Sequence, residues 1–221
     1  MSIKPILIAA FVLGTFAVGG VGLVAVTHDL TSERIAANQR EAMLSKLRDI
    51  LPTEASTGKP LMDNDPLKDR ILVHDPDLLG TTQTQVYRVR HQEQPIAVIL
   101  NPVVPDGYAG PIQLLVSVKK DGSLGGVRVL EHHETPGLGD KIDERKDDWI
   151  KEQFDNKSLG DPPAAQWLVK RDGGDFDQFT GATITPRAIV TAVRKTLEFV
   201  QQHGDRLYSE EEPDGEPEGA S

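Results

Sequence analysis

No cysteine occurs anywhere in the chain. That absence excludes disulfides, thiolate metal ligands and iron–sulfur clusters held by these side chains, so any redox chemistry needs a cofactor held another way. A positive charge balance is also missing: 24 Lys and Arg stand against 34 Asp and Glu, a formal net charge of -10. Such a balance argues against a nucleic-acid surface or a polyanionic substrate. No internal repeat is visible, and 221 residues leave room for one membrane anchor and one globular domain with a sizeable core. A hydrophobic fraction of 38% and a charged fraction of 26% suit such a domain.

What is present begins with a run from Pro5 to Val26 that carries no charged side chain. A bilayer needs about 20 such residues. A cleaved signal peptide is the rival reading, but its apolar core is about 7 to 15 residues and is followed by a small-residue cleavage site. The length therefore favours a retained anchor. Lys4 precedes the run and Asp29, Glu33 and Arg34 follow it, a bias that puts the N-terminus in the cytoplasm and the rest of the chain outside.

Residues 31–51 place Ile35, Ala36, Met43, Leu47 and Ile50 near one helical face, which predicts a helix leaving the membrane and ended by Pro52. Thr53 to Asp69 is rich in Pro, Gly, Asp and Lys and reads as a connecting loop. From residue 70 the texture changes to short β-branched and aliphatic runs, predicting strands at Ile71–His74, Gln85–Arg90, Ile96–Leu100, Ile112–Lys119 and Val127–Leu130. The last two bracket Asp121-Gly122, a hairpin signal. Helices are expected at Lys141–Phe154 and Pro186–His203, with a strand-like WLVK at 167–170 between them. In the second helix Thr185 is the expected cap, Pro186 fits the first turn, and Ile189, Val190, Val193, Leu197 and Val200 form an apolar face. The acidic, Pro- and Gly-rich end from Gly204 to Ser221 reads as a disordered tail.

One segment has the texture of a binding site. Thr180, Gly181, Ala182, Thr183 and Thr185 stand immediately before the second helix. Free N–H groups and the positive end of the helix dipole favour a phosphate there, and small residues permit close backbone approach. An ordinary capped helix start has the same composition, and physics alone leaves the ligand unnamed. A second segment, Glu131 to Lys141, holds His132 and His133 beside Glu134; neighbouring strand residues point apart, and no H-x-H or H-x-x-x-H spacing supports a metal site.

The run from Asp177 through Thr180-Gly181-Ala182-Thr183 to Thr185 matches the flavinylation pattern D-x-x-[ST]-G-A-T-x-[ST]. His132, Glu134 and Thr135 to Gly139 match H-x-E-T-P-G-L-G, and Gly107 to Ile112 matches G-Y-x-G-P-I. On these three motifs, in this order, the sequence resembles the covalently flavinylated FMN-binding-domain family. It looks like the G subunits of Rnf (Rsx) electron transport complexes, with the C subunits of sodium-pumping NADH:quinone reductases as cousins. The likeness covers residues 70–203 strongly and the anchor in architecture.

The resemblance implies FMN bound covalently by a phosphoester to Thr183, loaded by a separate flavin transferase that uses FAD and a divalent metal and releases AMP. A threonine hydroxyl is a poor nucleophile unaided, and the transferase would supply base and metal. Asp177 then belongs to the recognised motif; a solvated turn carboxylate is its other reading. Thr180, Gly181 and Ala182 would flank the attachment. Residues 134–139 would lie against the flavin ring, Glu134 and Thr135 giving polar contacts, Leu138 apolar surface, and Gly137 and Gly139 room for backbone approach. Trp149 and Trp167 could pack on the ring, but core is their commoner fate.

The expected fold class is α+β: an FMN-binding domain with an antiparallel-rich sheet and packed helices, preceded by one transmembrane helix. The expected organisation is an anchor at 1–28, a membrane-proximal helix and linker at 29–65, the domain at 66–203 and the tail at 204–221. By resemblance the chain is an electron-carrier subunit rather than a complete enzyme. Its implied partners are the other members of the complex, the flavin transferase and membrane lipid. Its implied place is a bacterial inner membrane, crossed once, with the domain on the periplasmic side. The family links such complexes to ferredoxin and NAD or to a redox sensor. Rival readings are the quinone reductase subunit, a stand-alone extracytoplasmic flavin reductase domain and a non-redox assembly subunit. The first differs within the class, the second would need its own substrate pocket, and the third has no use for an intact Thr183 motif.

Overall fold

A computed structural model describes residues 3–51, 53 and 59–209. The chain forms two compact units that divide between Ser45 and Lys46. Helix α1 spans Ile3–Arg48, and its apolar part exposes Phe11, Leu13 and Phe16, each more than 75% accessible. It is one helix long and apolar enough to cross a membrane. The separate helix expected at 31–51 is instead a continuation of α1. No Gly or Pro interrupts Leu23 to Arg48, and the Thr27 and Thr31 hydroxyls donate to the carbonyls of Leu23 and Thr27 rather than breaking the ladder. Pro52 lies outside the described residues.

The second unit is an antiparallel sheet of β1 (Arg70–Val73), β2 (Thr84–His91), β3 (Gln94–Leu100), β4 (Val103–Val104), β5 (Ile112–Lys119) and β6 (Leu124–Glu131). The strands run β1-β2-β3-β5-β6, and β4 pairs with the start of β5, Val104 opposite Ile112. All five predicted strands are present, most of them longer than their predicted runs. The β5–β6 turn has Gly122 at φ +82 and Asp121 accepting from the Ser123 N–H and hydroxyl, the chemistry a reversal at Asp-Gly requires. The remaining helices are α2 (Pro76–Leu79), α3 (Trp149–Phe154) and α4 (Ile184–Tyr208).

Alternation sends Val86, Val98, Leu114 and Val116 to one face, where Ile189, Val190, Val193 and Leu197 of α4 cover them together with Trp149, Phe154, Trp167 and Phe176. Each such side chain contributes roughly 1.5–3 kcal/mol by leaving water. Leu47, Ile50 and Leu51 are also buried. A Cβ added at Gly126 would sit 3.3 Å from Ile50, and Arg128 donates to the Asp49 carbonyl at 3.1 Å while pairing with Glu144 at 2.6 Å. Residues 46–51 are therefore built into the second unit, although the sequence reading assigns them to the membrane-proximal helix and linker.

Three further expectations are corrected. The helix expected at Lys141–Phe154 is a 3-10 turn at Gly139–Ile142, an irregular stretch and then α3. Asp143 and Asp147 capture the backbone N–H groups of Arg145 and Trp149, which competes with a continuous helix. WLVK is not a strand of the sheet: Val169 makes one isolated parallel bridge to Phe176, and Trp167 is fully buried with its indole N–H shared by the Ser158 and Pro162 carbonyls. Helix α4 passes the expected tail boundary at 204, because Leu207 is buried and the Tyr208 hydroxyl donates to the Val118 carbonyl. The acidic stretch from Glu210 lies outside the described residues.

Candidate functional site at the start of α4

Helix α4 begins at Ile184 with Thr183 at its N-cap. Thr185 is not the cap; it lies inside the first turn, fully buried, and its hydroxyl donates to Glu134 Oε2 at 2.6 Å. The Thr183 carbonyl accepts the first helical bond from Arg187 N at 3.2 Å, but its side chain makes no capping hydrogen bond. Its hydroxyl is left for other chemistry, with Arg171 Nη1 at 3.4 Å.

The residues before Thr183 explain its placement. Phe179 is buried against Trp149, with ring centroids 5.0 Å apart, and Ala182 N donates back to the Phe179 carbonyl. Gly181 closes this turn at φ +84, where a side chain would be strained. Thr180 is exposed and Thr183 half-buried. Asp177 is fixed by its backbone, which accepts from the Trp149 indole N–H at 3.0 Å and donates to Gln153 Oε1 at 2.8 Å. Its carboxylate faces outward, half accessible, 2.6 Å from Lys170 Nζ.

Glu134 joins the three motifs. Its carboxylate is buried, and Oε1 accepts from Ala109 N at 3.1 Å while Oε2 takes the Thr185 hydroxyl. A Cβ at Gly139 would come within 2.4 Å of Oε2, and one at Gly107 within 3.0 Å of Oε1. These two glycines thus make room for the carboxylate. Thr135 is exposed and its carbonyl accepts from the Leu138 and Gly139 N–H groups at 3.1 Å; Gly137, at φ +79, donates to Asp140 Oδ1 at 2.7 Å. His132 Nδ1 accepts from Glu134 N, which ties that ring to the same segment.

Together these segments enclose a cavity of about 270 Å³ lined by Tyr108, Glu134, Thr135, Leu138, Gly139 and residues 181–185. Of the residues expected from the sequence, Thr180, Gly137 and Asp177 do not line it, and Trp149 and Trp167 are core. Tyr108, Ile184 and Thr185 are additions to the expected site residues; the G-Y-x-G-P-I and T-G-A-T-I-T motifs contain all three. The Glu134 carboxylate is already bonded twice, whereas Tyr108, Leu138 and Ile184 present 68%, 46% and 47% of their surface. This is the donor set a flat, largely apolar ring with a phosphate tail requires: an apolar rim, a pinched backbone at Gly181 and an uncommitted hydroxyl at a helix start. The volume lies below the roughly 300 Å³ at which pockets enclose whole drug-sized ligands, so a bound FMN would have part of its structure outside the rim.

To one side, Arg187 grips Asp172 through two bonds of 2.5 and 2.9 Å, which holds the Asp172 carboxyl below its ordinary range and raises the guanidinium. Beyond the 3-10 turn Gly139–Ile142, Asp143 is held down to about 2, chiefly by its hydrogen bonds from Arg145.

A family model described as FMN-binding domain matches residues 107–198, and one described as RnfG N-terminal region matches residues 1–50. Curated relatives named as the G subunits of ion-translocating oxidoreductase complexes are similar along almost their whole length. The protein of Pseudomonas aeruginosa is 49% identical over 93% of this chain and 94% of its own. That of Vibrio atlanticus is 43% identical over 90% and 92%, and that of Vibrio cholerae 40% over 91% and 93%. With an α+β FMN-binding domain behind a long apolar helix, the chain belongs to the G-subunit family of ion-translocating oxidoreductase complexes.

Proposed function

We propose that this chain is the electron-carrying subunit of such a complex, with FMN esterified through its phosphate to Thr183. The observation that supports this most is the Thr183 side chain itself, a helix N-cap hydroxyl not used for capping, on the wall of a cavity built from three motifs. FMN, when bound, supplies reversible electron transfer; the protein supplies position and electrostatics. Gly181 and Ala182 let the backbone approach the phosphate, and the Ile184 and Thr185 N–H groups, ahead of Pro186 and without a helical acceptor, are available to it. Thr180 borders the attachment from the exposed side. Tyr108, Leu138 and Ile184 offer apolar surface to the ring, with Thr135 and Gly139 shaping the opposite wall and Gly137 turning the backbone between them. Glu134 holds these walls together.

A separate flavin transferase loads Thr183 and reads Asp177, whose outward carboxylate is open to a second protein. Covalent attachment prevents cofactor loss and suits a relay between subunits, where a fixed, approachable ring matters more than a substrate pocket. The apolar part of α1 meets lipid, and the domain stands on the extracytoplasmic side of a bacterial inner membrane, a reading that the charge bias around the helix supports.

The test compares wild type with Thr183→Val, each co-expressed with a flavin transferase, by intact mass and by flavin fluorescence in a denaturing gel. A mass increment of one FMN less one water, lost in the variant, is expected. Equal fluorescence in both would move the attachment to another residue.

A further inference from the structure

Three charged residues in a row make the short turn Lys170–Asp172 beside the start of α4. Two of them have partners of opposite charge: Lys170 lies 2.6 Å from Asp177, and Asp172 is bonded twice by Arg187. Arg171 makes no close ion pair among the described residues, its charge acting on the neighbouring Asp172 carboxyl only after that of Arg187, and its Nη1 donates to Thr183 Oγ1 at 3.4 Å. The turn is held from several sides. Arg171 N donates to Gln178 Oε1 at 3.2 Å, Lys170 N to the carbonyl of the buried Phe176 at 2.7 Å, and Gly173 N to the Lys170 carbonyl at 3.1 Å, with Gly173 at φ +89. A Cβ at Gly174 would fall 2.0 Å from the Leu168 carbonyl oxygen, so the backbone is packed against itself there.

We propose that Arg171 grips the phosphoryl group carried on Thr183 and thereby positions the attached cofactor. This rests on the reading of Thr183 as the attachment residue. A phosphodiester keeps one negative charge and two unesterified oxygens. A guanidinium fork matches those oxygens through two N–H groups, whereas an ammonium meets them as a point charge. The Ile184 and Thr185 N–H groups at the start of α4 are available to the same group from the helix side. Asp172 and Asp177, carboxylates on the same turn and on the segment that follows it, are each paired closely with another cation, Arg187 and Lys170, so that neither holds the Arg171 guanidinium fork against the incoming anion. Arg171 is thus a positioning residue whose partner arrives with the modification.

The experiment uses the full chain, co-expressed with a limiting amount of flavin transferase and purified in detergent, as wild type, Arg171→Gln, Arg171→Lys and the remote-charge control Lys120→Gln. Intact mass gives the loaded fraction, and phosphorus NMR gives the environment of the phosphoester. In Arg171→Gln the loaded fraction is expected to fall roughly three- to tenfold, the effect of one partly exposed charge-assisted bond. Arg171→Lys is expected to recover part of it, the phosphorus resonance of the loaded fraction to move in both Arg171 variants, and Lys120→Gln to match wild type. Full loading with an unmoved resonance in Arg171→Gln overturns the proposal. Reduced loading with an unmoved resonance overturns it too, and assigns Arg171 to transferase docking. Should Arg171→Gln not fold, an unmoved resonance in Arg171→Lys overturns it. A wild type without the mass increment instead removes Thr183 as the attachment, and the Arg171 assignment with it.

Discussion

The Thr185 hydroxyl donates to the Glu134 carboxylate across 51 positions of sequence, with both residues buried. One hydrogen bond therefore fixes the start of α4 against the segment after β6. The second carboxylate oxygen fixes the Tyr108 turn to the same point through Ala109 N. Thr185→Val leaves a buried carboxylate oxygen short of a donor, which costs about 1–3 kcal/mol. The melting temperature should fall by roughly 2–4 °C per kcal/mol, followed by fluorescence of the buried Trp149 and Trp167 on heating. An unchanged melting temperature would show that the bond contributes nothing net.

Gly139 and Gly137 are close in sequence and should respond differently. A Cβ at Gly139 would sit 2.4 Å from Glu134 Oε2, whereas one at Gly137 meets nothing within 4 Å but is strained by φ +79. Gly139→Ala should displace the carboxylate and lower both stability and flavin loading. Gly137→Ala should cost only the left-handed strain, about 1–2 kcal/mol, and leave loading close to wild type. Thermal melts and intact mass of the two variants separate these effects.

Asp177 separates recognition from folding. Its backbone carries the bonds to the Trp149 indole and to Gln153 Oε1, and its half-exposed carboxylate accepts a longer bond of 3.3 Å from Gln153 Nε2 and makes a surface ion pair with Lys170. Such pairs contribute about 0–1 kcal/mol. Asp177→Asn should therefore melt within a few degrees of wild type while its loading by the transferase falls several-fold, read by mass against time. Parallel loss of both would make Asp177 a structural residue.

The Asp143–Arg145 pair gives the acid response a sign. The Asp143 carboxyl is held at about 2 by hydrogen bonds from Arg145, below the unfolded value of about 3.9. A depressed folded-state value contributes stability that is present above the unfolded value and is lost as pH falls through the folded one. Wild type should melt above Asp143→Asn at pH 6, and the gap should close between about pH 4 and pH 2. A gap that stays constant over that range would remove this carboxylate from the acid response.

The strands are legible in the sequence because runs such as Ile112–Lys119 are β-branched and long enough to be buried, and α4 because its apolar residues recur at helical spacing. Thr183 is singled out by the motif alone; its composition equally describes an ordinary cap. What cannot be read is longer in range. Thr185 looks like a cap because its acceptor, Glu134, lies on another element. Residues 143–148 look helical because nothing in a periodicity scan registers aspartates that take neighbouring N–H groups. Trp167 and Val169 look like a strand because burial by α3 and the 176 segment leaves the same alternation as a sheet face. Arg171 gives no signal at all, since its target is a hydroxyl twelve residues away that a turn brings back to it.

Gly125 and Gly126 have a consequence for anyone cutting this chain. A Cβ at Gly125 would lie 2.7 Å from the Ile50 carbonyl oxygen, so β6 is shaped to receive the last turn before the loop. A soluble fragment begun at the apparent domain start near residue 66 would bare the surface that Leu47, Ile50 and Leu51 cover, and would leave Arg128 without the Asp49 carbonyl. The working boundary for expression lies ahead of Leu47, in the helix rather than in the loop that looks like a linker.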